Sequence, residues 1–148
     1  MLSLMPRSAA IRQAVLLIAL GLLFASTPGC DGSKLYPVEG TIVYPDGEAV
    51  TGLAGASVEF DPIAGKEGAR GEVQPDGTFR LGTHKPGDGA APGEYRVSIQ
   101  PPLPALDRRA PRVLDHRYES FTASGLRVTI KAEANYIRLQ VNRPKPAS

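Results

Sequence analysis

Cysteine occurs once in this chain, at Cys30; tryptophan is absent, and the only histidines are His84 and His116. A single cysteine excludes a disulfide within the chain. A zinc site needs three or four protein ligands. The two histidines stand far apart, with no H-E-x-x-H or C-x-x-C spacing, so both are read as solvated loop residues. The Gly-x-Ser-x-Gly pattern of a hydrolase nucleophile is also missing. Without tryptophan, and with nothing aromatic at the tip of the loop 82–93, no platform for stacking on sugars is evident. No apolar run reaches the ~20 residues that a membrane-spanning helix requires. These gaps predict a protein that is not an enzyme, with no catalytic residues, no metal ligands and no cofactor.

Acidic residues are absent before Asp31, and this marks the most informative segment. Arg7 and Arg12 precede an unbroken apolar run of 12 residues, Ala14 to Ala25, followed by Ser26-Thr27-Pro28-Gly29-Cys30. Positive charge, a short greasy core and then small residues describe a secretory signal peptide with a signal helix. Gly29 is the small residue that lipoprotein signal peptidase requires before its cysteine, although Thr27 departs from the usual apolar residue. Residues 1–29 are therefore predicted to be a lipoprotein signal peptide, with Cys30 the lipidation site. Residues 30–35 form a polar tether. Several acyl chains, at ~0.8 kcal/mol per buried methylene, hold such a protein durably on a membrane. The expected location is the bacterial cell envelope, on the periplasmic face or the cell surface.

Removing the signal also removes Arg7 and Arg12, so 17 basic residues against 15 acidic become 15 against 15. A neutral exported chain has no electrostatic reason to bind nucleic acid. Cys30 to Ser148 makes one ordinary domain, able to bury roughly two-thirds of its surface.

That domain, residues 36–142, reads as strands. Val38, Gly40 and Ile42 alternate on one face. Ala56 to Phe60 alternates similarly, and Arg70 to Gln74 is a weaker strand centred on Val73. Thr78 to Gly82 turns Phe79 and Leu81 inward. Glu94 to Gln100 turns Tyr95, Val97 and Ile99 inward, with Arg96 and Ser98 outward. Leu126, Val128 and Ile130, then Ile137, Leu139 and Val141, complete the set. Period-two alternation with a wet face predicts antiparallel sheets. Gln74-Pro75-Asp76-Gly77-Thr78 is a turn in which Pro presets one dihedral and Gly accepts a positive one; it should make a hairpin of the Val73 and Phe79 strands. Asp46-Gly47 and Asp88-Gly89 mark further turns, with a calcium ion bridging Asp46 or Asp88 to another loop as the alternative. Seven short strands predict an all-β, antiparallel seven-stranded β-sandwich. A small closed barrel remains the competing architecture. Residues 143–148 form a disordered tail.

The order of Val38-x-Gly40-x-Ile42, Asp46-Gly47, Ala56-x-Val58-x-Phe60, Asp76-Gly77-x-Phe79-x-Leu81 and Gly93-Glu94-Tyr95-x-Val97-x-Ile99 resembles the carboxypeptidase regulatory-like (transthyretin-like, prealbumin-like) domain. More narrowly, the chain resembles short lipoproteins of this type in planctomycete-like bacteria, over roughly Leu35 to Val141. The resemblance implies the sandwich fold and an envelope location, and implies no catalysis. The purine-breakdown hydrolase of the transthyretin-like family ends in Tyr-Arg-Gly-Ser, whereas this chain ends in Asn142-Arg143-Pro144-Lys145-Pro146-Ala147-Ser148.

The connection 101–118 is long, extended by prolines and basic through Arg108, Arg109, Arg112 and Arg117. One reading makes it a crossover between the two sheets, with Val113 and Leu114 tucked under and Tyr118 anchoring its return. The other makes it a docking segment: polyproline II on an aromatic groove, or arginines on acidic groups. Lys85 in the mobile loop 82–93 joins these arginines as a candidate interaction residue. The sequence thus predicts a lipid-anchored envelope protein with a structural or protein-interaction role and an envelope protein or polymer as partner. The alternative is an envelope ligand-binding module, for a glycan, a peptide or a calcium-linked partner, using the loops 82–93 and 101–118.

Overall fold

The computed structural model describes residues 32–65, 67–102 and 112–144. The signal segment 1–29, Cys30, Arg108, Arg109 and residues 145–148 lie outside the described residues. What is described is an all-β sandwich of seven strands: β1 Val38–Val43, β2 Ser57–Pro62, β3 Ala69–Glu72, β4 Thr78–Arg80, β5 Gly93–Gln100, β6 Arg127–Ile130 and β7 Asn135–Gln140. One sheet has the order β4-β1-β7 and the other β3-β2-β5-β6.

The alternation expected from sequence sets which faces meet. Val38, Gly40, Ile42, Phe79, Ile137 and Leu139 are buried from the three-stranded sheet. Val58, Phe60, Tyr95, Val97 and Ile99 are buried from the other. Phe60 lies at the centre, its ring centroid 6.2 Å from Phe79 and 6.0 Å from Tyr95, both tilted. Offset, tilted aromatic pairs add to the burial of their area. Tyr95 is buried, its hydroxyl donates to the Ala91 carbonyl at 2.9 Å, and burial pushes its phenol up.

Four of the five ladders are antiparallel; β1 and β7 pair in parallel, in register from Val38↔Asn135 to Val43↔Gln140. Parallel neighbours need a long connection between them, and here nearly the whole domain supplies it. The Gln74–Thr78 turn forms with the expected chemistry. Gly77 has φ +81°, the Gly77 amide donates to the Gln74 carbonyl, and Asp76 accepts from both the amide and the hydroxyl of Thr78. Its two arms, however, diverge into different sheets. They remain paired at Val73↔Phe79 and Arg70↔Gly82, so this edge of the sandwich is stitched shut.

Two sequence readings are corrected. The connection 101–118 is not a crossover between sheets, because β5 and β6 are antiparallel neighbours in one sheet. β6 pairs only with Gly93–Arg96, and the segment before it runs beside the rest of β5: Val97 N–H donates to the Leu126 carbonyl, and the Ser124 hydroxyl donates to the Val97 carbonyl at 2.6 Å. Ser98, expected to face water, is fully buried. The short 3-10 helix His116–Glu119 packs on β5, with Gln100 Nε2 donating to the Glu119 carbonyl at 2.8 Å, so the outer side of β5 has a second cover. Leu126 and Val128 are only half-buried, since β6 is an edge strand.

Candidate functional site

The strand registers sort the loops between two ends. The segment entering from Gly32 is fixed where Tyr36 and Ala90 exchange both backbone hydrogen bonds, at 2.9 and 3.0 Å. The approach is so close that a Cβ on Gly89 would stand 2.0 Å from the Tyr36 carbonyl oxygen. The loops 63–68, 81–92 and 131–134 share this entry end. The loops 44–56 and 73–77 share the other, where β7 also finishes and where Val113 and Tyr118 meet Tyr44 and Asn142.

Lys85 is therefore at the entry end and Arg112 and Arg117 at the far end; the structure does not bring them together. Arg112 approaches Nδ1 of His116 at 2.6 Å and the Glu119 carboxylate at 3.2 Å. Arg117 donates to the Tyr118 hydroxyl at 2.7 Å and lies over its ring. Tyr118 is 2% exposed, and its hydroxyl also accepts the Asn142 N–H at 2.9 Å. It anchors the return of the connection and ties it to the end of β7. Val113 and Leu114 pack against the core. Both arginines thus brace their own loop.

Asp46 and Asp88 are engaged as turn carboxylates. Asp46 accepts from the Glu48 N–H and from Arg143, which hold its carboxyl below the usual range despite some loss of solvent. Arg143 also reaches Glu48 at 2.7 Å and stacks 3.9 Å over Tyr44, so the chain is held at this point. Asp88 accepts three backbone N–H groups, from Thr83 at 2.7 Å, His84 at 3.2 Å and Lys85 at 3.0 Å. Partial desolvation pushes its carboxyl up, but the three donors together outweigh it and leave the group below its ordinary value. Hydrogen bonds to the charged form favour that form.

Between β3 and the loop so closed lies a hollow of about 400 Å³. Arg70, Arg80, His84 and Lys85 line it, with Glu72 the one carboxylate among its lining residues. Its floor is glycine because backbones touch there: a Cβ on Gly71 would stand 2.4 Å from the Arg80 carbonyl oxygen, and one on Gly82 2.1 Å from that of Lys85. Arg80 pairs with Glu39, its direct cross-strand neighbour in the ladder. His84 stands 3.5 Å from Glu67. Sequence reasoning picked out Lys85 alone. Arg70 begins a strand read as weak and Arg80 alternates outward on the next, and the edge stitching at Arg70↔Gly82 brings them beside Lys85. Asp88, three residues after Lys85, is the sequence signal that this loop closes on itself.

A DUF3823 family protein from Parabacteroides merdae ATCC 43184 aligns with this chain at a TM-score of 0.43 and 20% identity, over 75% of this chain and 47% of that one. The chain thus spans about half the length of that protein. No family model matches the chain, and no curated protein matches it in sequence. Among the described residues, no helix is long and apolar enough to cross a membrane.

Proposed function

We propose that this chain is a lipid-anchored protein of the bacterial cell envelope, tethered through Cys30, whose sandwich has a structural or protein-interaction role and no catalytic one. The observation that carries the reading is the polarity of the fold. The polar tether enters at one end of the sandwich, where Tyr36 pairs with Ala90. Arg112 and Arg117, in the described part of the connection, belong to the opposite end, where Tyr118 meets Asn142 after β7. Only five residues separate Cys30 from Tyr36, a reach of at most ~20 Å when extended. A lipid on Cys30 would hold the entry end close to the membrane and turn the far end toward neighbouring proteins or polymers. The order of turns and strands that resembles the carboxypeptidase regulatory-like domain agrees with a non-catalytic module of this kind.

The test is the intact mass of the membrane-extracted protein beside a Cys30→Ala variant. A mature chain that begins at Cys30 and carries acyl mass, with membrane association lost in the variant, supports the reading. An unmodified chain cut elsewhere sinks it.

A further inference from the structure

We propose that the hollow between β3 and the loop 82–88 is a binding site for an oxyanion group, a carboxylate, sulfate or phosphate borne by a small ligand. The inference does not depend on lipidation. A hollow of about 400 Å³ falls within the range of small-molecule sites. Of its basic side chains, Arg80 is paired with Glu39 and His84 stands 3.5 Å from Glu67, which leaves Arg70 and Lys85 as the groups offered to a ligand, with Glu72 the carboxylate among the lining residues.

Asp88 keeps its charge, but both of its oxygens are turned to the backbone N–H groups of residues 83–85 and make no salt bridge to the Lys85 ammonium. Among the described residues, neither Arg70 nor Lys85 has a carboxylate within salt-bridge distance. Arg70 brings a planar fork of donors suited to a carboxylate or phosphate, and Lys85 a mobile point charge. Gly71 and Gly82 are filled in from the protein side by the Arg80 and Lys85 carbonyls, so they fix the two walls of the hollow close together and leave the contacts to its side chains. Gly87 has φ +80°, and a Cβ there would meet the Arg80 Cδ at 3.1 Å. The Arg80 stem thus lies close to the loop backbone at Gly87.

The experiment titrates the full chain, in neutral detergent, with inorganic phosphate, sulfate and citrate, and follows backbone amide shifts. The expected result is saturable binding with a Kd of about 1 mM or tighter. The shifts should cluster at Gly55–Ser57, Arg70–Glu72 and Gly82–Pro86, the segments that line the hollow. Arg70→Gln and Lys85→Gln should each weaken binding by about tenfold, the effect of losing one charge-assisted hydrogen bond. Lys131→Gln, a lysine that does not line the hollow, should change nothing. Saturation by phosphate or sulfate alone names a phosphoryl or sulfuryl ligand, and saturation by citrate alone names a carboxylate; both support the site. Unsaturable shifts scattered over all lysines and arginines, or affinities unchanged in Arg70→Gln and Lys85→Gln, overturn it.

Discussion

Gly40 and Phe79 share one space: a Cβ built on Gly40 would stand 2.5 Å from Cζ of the Phe79 ring. The same Cβ would meet the Ile137 carbonyl oxygen of the neighbouring strand at 2.5 Å. Gly40 sits on the central strand of its sheet, paired with Phe79 on one side and Ile137 on the other. The ring fills the room that a side chain would otherwise take and reaches Phe60 across the core.

Gly40→Ala should therefore destabilise the protein, although alanine favours folding elsewhere by restricting the unfolded chain. Overpacking a close-packed core costs about 1–3 kcal/mol. Urea unfolding of the variant beside the wild type measures it. A variant as stable as the parent would show that the Phe79 ring yields freely.

Tyr118→Phe removes the hydroxyl that accepts the Asn142 N–H and the Arg117 guanidinium. Leaving a partly buried donor without an acceptor costs about 1–3 kcal/mol. Amide exchange at Asn142 should accelerate more than exchange at Ile137, because only the end of β7 loses its tie. Uniform acceleration along β7 would instead mean that the hydroxyl supports the whole strand.

Asp88 gives the loop 82–88 an acid limit. Its folded carboxyl lies below the ordinary value of 3.8. A group depressed on folding contributes stability that is complete above the unfolded value and is lost as pH falls through the folded one. The amides of Thr83 and Lys85 should thus move together as pH falls, with a common midpoint below 3.8. A midpoint at or above 3.8 would contradict the three-donor arrangement. In Asp88→Asn this common transition should vanish.

Glu39→Gln tests how far the Arg80 ion pair matters. Both side chains are more than half exposed, and exposed pairs contribute about 0–1 kcal/mol. Stability should change by less than about 0.5 kcal/mol in thermal unfolding. Oxyanion affinity should rise, since Arg80 loses a competing carboxylate. Weaker anion binding in the variant would assign Glu39 a positioning role instead.

Much of this architecture is written in local patterns. Phe79 and Leu81, then Ile137 and Leu139, announce their inward faces by alternation, and the Pro75-Asp76-Gly77 turn forms with the chemistry its residues dictate. What escapes such a reading is decided by distant chain. Ser98 alternates like a solvent residue, and its burial depends on a segment some twenty residues later folding over β5. The parallel match of Val38 with Asn135 leaves no local mark, since the partner lies almost a hundred residues away. The hollow beside Lys85 was half legible. Lys85 and Asp88 stand in one loop, but Arg70 and Arg80 join them only because the hairpin arms part between two sheets.

The parallel ladder of β1 and β7 has a mechanical meaning. The chain enters the fold at the start of β1 and leaves it at the end of β7, so a pull between its two ends slides these strands along each other. Six residue pairs, Val38↔Asn135 to Val43↔Gln140, then share the load at once instead of opening one after another. A hairpin pulled from its open end would unzip under far less force. A pull applied between Val38 and Gln140 therefore loads the ladder in shear.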